Sequence, residues 1–196
     1  MRRFACLVGL LVLATVSAAA QDNSKVDIFG GYMYLRFSPN ISGSGISSVN
    51  FNGGVGSVSY NPSKWIGIVG EIAGYHAGTI KSNGVAMPDT TSNAVTYLFG
   101  PKIFKSVGKL TPFAQVLFGG VHVSVSTPPP TPESENGFAM ALGGGLDWNA
   151  SHHIGVRLGQ IEYAMTRFPN TANGFLSGTT GTQNNFRYAA GVVFRF

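Results

Sequence analysis

Arg187-Tyr188-Ala189-Ala190-Gly191-Val192-Val193-Phe194-Arg195-Phe196, the last ten residues of the sequence, divide by parity. Tyr188, Ala190, Val192, Phe194 and Phe196 fall on one side, and Arg187, Ala189, Gly191, Val193 and Arg195 on the other. A strand sends successive side chains to opposite faces, so this stretch is a ribbon with one wholly apolar face and one that carries charge. Its final aromatic ring suits the interface of a bilayer, where such rings are stable.

Seven further segments of similar character precede it: Val26–Phe37, Val49–Tyr60, Trp65–Ala77, Ser92–Ser106, Thr111–Val125, Gly137–Asn149 and His153–Arg167, with Asn184–Phe196 as the eighth. Beyond residue 20 no apolar run approaches the ~18 residues of a spanning helix. The connections alternate in length. Asn61–Lys64, Ser106–Leu110 and Asn149–His152 are tight turns, whereas Ser38–Ser48, Gly78–Thr91, Ser126–Asn136 and Phe168–Gln183 are longer. Short turns on one side and long loops on the other predict an all-β, eight-stranded antiparallel up-and-down transmembrane barrel, with turns and both termini in the periplasm. The loops are rich in Gly, Ser, Thr, Asn and Pro, including Pro128-Pro129-Pro130, and are expected to be solvated.

Composition agrees. Charged residues make up 11% of the chain against about 25% in ordinary soluble domains, while aromatics reach 12% and there are 27 glycines. The net charge of +5 comes from scattered bases, with no cluster that suggests nucleic acid. Residues 1–20 read as a secretory signal peptide: Arg2 and Arg3, an apolar run from Phe4 to about Ala14, then Ser17 to Ala20. The sole cysteine, Cys6, lies within it, so the mature barrel domain, residues 21–196, is expected to be free of disulfides and thiolate metal sites.

The faces can be assigned from cost, because an arginine or lysine facing lipid at mid-membrane costs about 2–4 kcal/mol. Charge must point inward. This places Glu71 in the lumen opposite Ile66, Ile68 and Ile72, Lys102 and Thr96 opposite Val95, Tyr97, Phe99 and Ile103, and Asp147 opposite Phe138, Leu142 and Trp148. Arg157 opposes Ile154, Val156 and Leu158, but Gln160 and Glu162 then fall on the lipid parity. Either a bulge resets the register or those two lie above the hydrocarbon. In the fifth segment Gln115 and His122 have opposite parity, and a bulge at Gly119-Gly120 is expected. In the first, Asp27 and Arg36 are expected to lie at ends outside the core. Trp65 and Trp148 border short turns and read as a periplasmic aromatic girdle. A soluble lipocalin-type barrel would reverse the faces.

The ending Gly191, Phe194, Phe196 resembles the assembly signal of bacterial outer-membrane barrels. With the opening Phe29-Gly30-Gly31-Tyr32-Met33-Tyr34-Leu35-Arg36, it makes the stretch from Lys25 to Phe196 resemble the OmpA/OmpX-type small outer-membrane β-barrel family. The resemblance implies insertion by the barrel-assembly machinery, which would recognise Gly191, Phe194 and Phe196, and location in the outer membrane of a Gram-negative-type bacterium. Stopping at Phe196 puts a cell-wall tethering role in doubt.

Function is less constrained, since one barrel hosts many roles. Glu71, Lys102, Asp147, Arg157 and Arg187 are expected to form a lumen charge network, either a salt-bridged plug or a narrow gate for small solutes. The plug is favoured, with a structural or surface-interaction role. Lipid, lipopolysaccharide and a ligand of the exterior loops are the expected partners. The third reading is lipid A hydrolysis: His122 and Ser124 share a face, Glu133 and Glu135 follow, and the His-x-Ser spacing is similar to that of outer-membrane lipid A deacylases. No enzyme activity, metal or cofactor is expected, and His152-His153 reads as a solvated turn.

Overall fold

The structure, a computed structural model, describes residues 24–37, 49–77, 81–82, 85–86, 91–126, 133–168 and 182–196. Residues 1–20, where the signal peptide is expected, and most of the long connections, including the proline run, lie outside them. Eight strands cross: β1 (Val26–Phe37), β2 (Val49–Tyr60), β3 (Ile66–Ala77), β4 (Thr91–Phe104), β5 (Leu110–Ser126), β6 (Glu133–Asn149), β7 (Ile154–Arg167) and β8 (Gln183–Arg195). Each pairs antiparallel with its sequence neighbours, and β8 returns to β1, closing a barrel. A two-rung ladder, Lys81–Ser82 against Val85–Ala86, stands between β3 and β4.

Closure satisfies every ladder without leaving an edge, which is what a lipid-embedded sheet requires. At the seam Asp27 lies across from Arg195 and Gly31 from Gly191. Val26 and Phe196 exchange both backbone hydrogen bonds, at 3.0 and 2.9 Å. The turn between β4 and β5 is held by reciprocal bonds between Val107 and Leu110, with Gly108 at φ 60°, a conformation that costs glycine little.

Alternation then sorts the side chains. Outward stand Ile66, Ile68, Ile72, Tyr97, Phe99, Ile103, Leu142 and Phe194, all well exposed, while Glu71, Lys102, Asp147, Arg157 and Arg187 are buried inside. Large apolar side chains outside and ions inside are the reverse of a lipocalin. The strand bounds follow the alternating segments closely, with one extension. β6 begins at Glu133 instead of Gly137, so Glu133 and Glu135 belong to a strand, opposite Val125 and Val123, and not to a loop.

Two irregularities came out differently from each other. In β7 one extra residue is inserted at Leu158-Gly159, since Leu146 pairs with Gly159 but Asp147 with Arg157. The bulge turns Gln160 and Glu162 into the lumen, where they are 0% and 1% exposed. Tyr188 covers the site, its hydroxyl donating to the Leu158 carbonyl at 3.2 Å. The bulge expected at Gly119-Gly120 is absent: β5 keeps one register with β4 and β6 throughout. Gln115 points inward and His122 outward because they sit an odd number of residues apart on a regular strand. The glycines there have another cause, for a Cβ on Gly119 would come within 2.0 Å of the Tyr97 carbonyl oxygen and one on Gly120 would meet the Tyr97 ring.

Trp65 precedes β3 rather than belonging to it, so strand parity does not govern it, and it is 69% exposed. Trp148 faces outward at the same end of the barrel. The facing glycines at the seam carry a prediction. A Cβ on Gly191 would lie 2.3 Å from the Gly30 carbonyl oxygen, so Gly191→Val should weaken the barrel by about 1–3 kcal/mol through overpacking. A lower urea midpoint for the refolded variant in lipid vesicles is the expected readout.

Candidate functional site

An eight-stranded barrel has room inside for side chains and little else. Among those that fill it here, Phe29, Met33, Leu35, Phe51, Val55, Ala73, Tyr75 and Val193 belong to one apolar cluster, with Leu98, Leu117, Val121, Ala139 and Ala141 in a second. The ions lie among them, Arg187 across the ladder from Leu35 and Glu71 across from Leu98.

Arg187, from the closing strand, reaches across the bore. Its Nη2 donates to Glu71 Oε1 and lies 3.3 Å from Glu162 Oε2, while its Nε donates to Met33 Sδ at 3.3 Å. Glu162 also accepts from Gln115 Nε2 at 2.8 Å. Gln160 links this group to the next, its Nε2 donating to Glu71 at 3.4 Å and its Oε1 accepting from Arg157 Nη1 at 2.6 Å. Arg157 forks onto Asp147 through Nε at 2.8 Å and Nη2 at 3.2 Å, the bidentate geometry that suits a carboxylate. Its guanidinium plane is sandwiched between Phe29 and Phe113, 4.1 and 4.3 Å from their ring centres.

At the short-turn end Lys102 Nζ donates to Asp27 Oδ2 at 3.3 Å, and Asn61 Nδ2 donates to the same oxygen at 2.9 Å. Arg195 lies between Asp27, at 3.9 Å, and Asp147, at 3.5 Å, and also donates to Asn149. A vestibule of about 490 Å³ opens here, with Lys102, Phe113, Asp147 and Arg195 among its walls. Above it the bore is occupied.

All five residues expected in the lumen lie there, in separate pairings: Glu71 with Arg187, Asp147 with Arg157, and Lys102 with Asp27. Three partners escaped the sequence reading. Asp27 was placed at an end outside the core and is instead 8% exposed within the lumen, although its shared parity with Met33 pointed there. Glu162 and Gln160 needed the β7 bulge, whose only trace in the sequence is the broken phase. With them and Arg195, four carboxylates balance four cations across six ion pairs within 4 Å among the described residues.

His122 and Ser124 do meet on the outer face. Ser124 Oγ lies 3.3 Å from His122 Nε2, and His122 Nδ1 lies 2.8 Å from Asn136 Oδ1. Asn136 lies against the ring's Nδ1, while Glu135 falls on the lumen parity of β6 and the side chain of Glu133 lies outside the described residues. A neutral amide there supplies no charge to stabilise an imidazolium. A second such pair, His76 Nδ1 with Asn93 Oδ1 at 2.8 Å, bonds no serine. Gly191 and Phe194 sit on the seam strand, with Phe194 facing outward, and Phe196 directly follows it, bonded through its backbone to Val26.

The network's energetics are testable. Removing one member of a buried pair leaves an uncompensated charge, at about 3–5 kcal/mol. Arg187→Met strands both Glu71 and Glu162 and should reach that range. Glu71→Gln leaves Arg187 with Glu162 and should cost less. Urea unfolding of both variants in lipid vesicles gives the order, which the opposite ranking would refute.

Several solved structures resemble the chain, and two illustrate the likeness. The attachment invasion locus protein Ail of Yersinia pestis matches over 89% of this chain and 99% of Ail, with 16% identity and a TM-score of 0.59. Neisserial surface protein A matches over 90% of this chain and 100% of its own, with 11% identity and a TM-score of 0.61. No protein-family model and no curated protein sequence matches. The likeness is therefore one of architecture, and by strand number, closure and this likeness the chain has the fold of the small eight-stranded outer-membrane β-barrels.

Proposed function

We propose that the protein is a sealed barrel of a Gram-negative-type outer membrane, exported by its amino-terminal signal peptide and inserted by the barrel-assembly machinery, which acts through membrane integrity and through contacts of its exterior segments. The observation that carries this reading is the occupied lumen. Arg157 clamped between two rings and Arg187 shared by two carboxylates form a plug whose opening would separate buried ions, and each separation costs several kcal/mol. Gly191, Phe194 and Phe196 serve as the assembly signal, and residues 21–196 as the mature domain.

The vestibule at the short-turn end is the one feature that favours a narrow solute channel instead. Planar-bilayer recording of the refolded protein separates the two. A plug gives no steady ionic steps in the natural protein and at most sporadic ones after Arg157→Gln. Steady steps whose size changes with Glu71→Gln or Arg157→Gln would establish the channel. Catalysis is not part of the reading, because the third group beside His122 and Ser124 is an amide. The mass of lipid A incubated with the refolded protein should be unchanged, and loss of an acyl chain would overturn this.

A further inference from the structure

The charges of the lumen balance as a whole but not group by group. Glu71 and Glu162 share one guanidinium, that of Arg187, so the deeper group has a carboxylate in excess. At the short-turn end the excess is of the opposite sign. Arg157 holds Asp147 through two hydrogen bonds, and Lys102 holds Asp27 at 3.3 Å. Arg195 is left over: it lies 3.9 Å from Asp27 and 3.5 Å from Asp147, and each of those carboxylates has a closer cation. Lys109, exposed in the turn between β4 and β5, makes no ion pair with a described residue. Both of these cations stand in the wall of the vestibule.

The hydrogen bonds around that wall run in one sense. Arg195 Nη1 donates to Asn149 Oδ1, Asn149 Nδ2 donates to Thr111 Oγ1 at 3.2 Å, and Thr111 Oγ1 lies 3.1 Å from Ser106 Oγ. Thr111, accepting at its oxygen, has its hydrogen for Ser106, and the hydrogen of Ser106 is left for the vestibule. Lys102 Nζ carries three N–H bonds and has one acceptor among the described residues, Asp27. At 4% exposure it draws little on solvent for the rest. Phe113, stacked on the Arg157 guanidinium, closes the inner end, so the space is a blind pocket facing the short turns. Its volume of about 490 Å³ falls within the ~300–1,000 Å³ of small-molecule sites. A concave wall with cations and donors to spare complements an anion.

We infer that the vestibule is a binding site, entered from the periplasm, for a small soluble dianion that bears hydroxyl groups, of the class of the sugar phosphates. A phosphate monoester carries close to two negative charges at neutral pH, which match Arg195 and Lys109. Lys102 and Ser106 donate to its remaining oxygens, and Phe104 and Phe113 line the side on which a carbon skeleton rests. The inference rests on the sealed bore proposed above: a solute that enters here meets Arg157 clamped between two rings and leaves by the way it came.

The test is isothermal titration calorimetry of the refolded protein in nanodiscs of zwitterionic phospholipid, at constant ionic strength, with glucose 6-phosphate as the probe and glucose as its uncharged control. Glucose 6-phosphate should bind saturably with a Kd of about 1 mM or tighter, and glucose should not bind. Arg195→Gln should weaken binding about tenfold and Lys109→Gln about threefold. Because Lys109 is exposed in a turn, its variant keeps the comparison even where Arg195→Gln gives no folded band. Lys64→Gln with Lys105→Gln removes charge at the same end but outside the wall, and should leave the affinity within about twofold. Phosphatidylglycerol added to the nanodiscs should leave it unchanged. No saturable binding, equal binding of glucose, full affinity in the Arg195 and Lys109 variants, or equal weakening in the Lys64 and Lys105 variant would overturn the inference. Loss of binding in the anionic nanodiscs would assign the wall to lipid headgroups and overturn it as well. Passage of glucose 6-phosphate through the protein into sealed vesicles would refute the sealed bore, and the blind site with it, whereas an impermeable barrel that does not bind the probe refutes the site alone.

Discussion

A guanidinium inside a cylinder whose outer wall meets hydrocarbon has no water to fall back on, and the fold depends on giving each one a carboxylate. Arg187 illustrates the consequence, because it is 2% exposed and is held by Glu71 of β3, across the bore, and by Glu162 of β7, its partner on the adjacent ladder. Glu71 lies 116 positions away in sequence and three strands away around the barrel, yet a single guanidinium joins it to Glu162. The ion pairs therefore act as cross-braces, adding contacts through the lumen to the ladder hydrogen bonds that run around it.

The same constraint explains the distribution of small residues. Ions and amides fill a long stretch of a narrow tube, so the residues beside them must give way: Gly143 and Gly145 follow Ala139 and Ala141 and precede Asp147 along the inward face of β6. A Cβ on Gly143 would stand 2.8 Å from Glu162 Cγ, so the glycine makes the space that Glu162 fills. The β7 bulge completes the arrangement. It shifts Gln160 and Glu162 to the lumen, where they bridge the Arg157 and Arg187 groups, and its outward glycine is covered by Tyr188.

Inside and outside are thus complementary halves of one sorting. Carboxylates and most strand cations are inward and neutralise one another, which closes the bore. The polar groups that remain outward are gathered at one height, above an uninterrupted apolar band.

Parity together with the alternation of short and long connections determined the strand number and the barrel architecture, and parity determined the lumen position of Glu71, Lys102, Asp147, Arg157 and Arg187, because the cost of a charge in hydrocarbon is large enough to orient any regular strand. Tertiary structure decided what parity cannot express. Which ions pair depends on shear and register between strands distant in sequence, so Asp27 as the partner of Lys102 was not readable from either residue. Where the period breaks, as between Arg157 and Gln160, the sequence offers two registers, and only the neighbouring ladders of β6 and β8 select the bulge. At Gly119-Gly120 the glycines imitate a bulge but answer instead to Tyr97 on the adjacent strand, a contact that exists only once the barrel has closed.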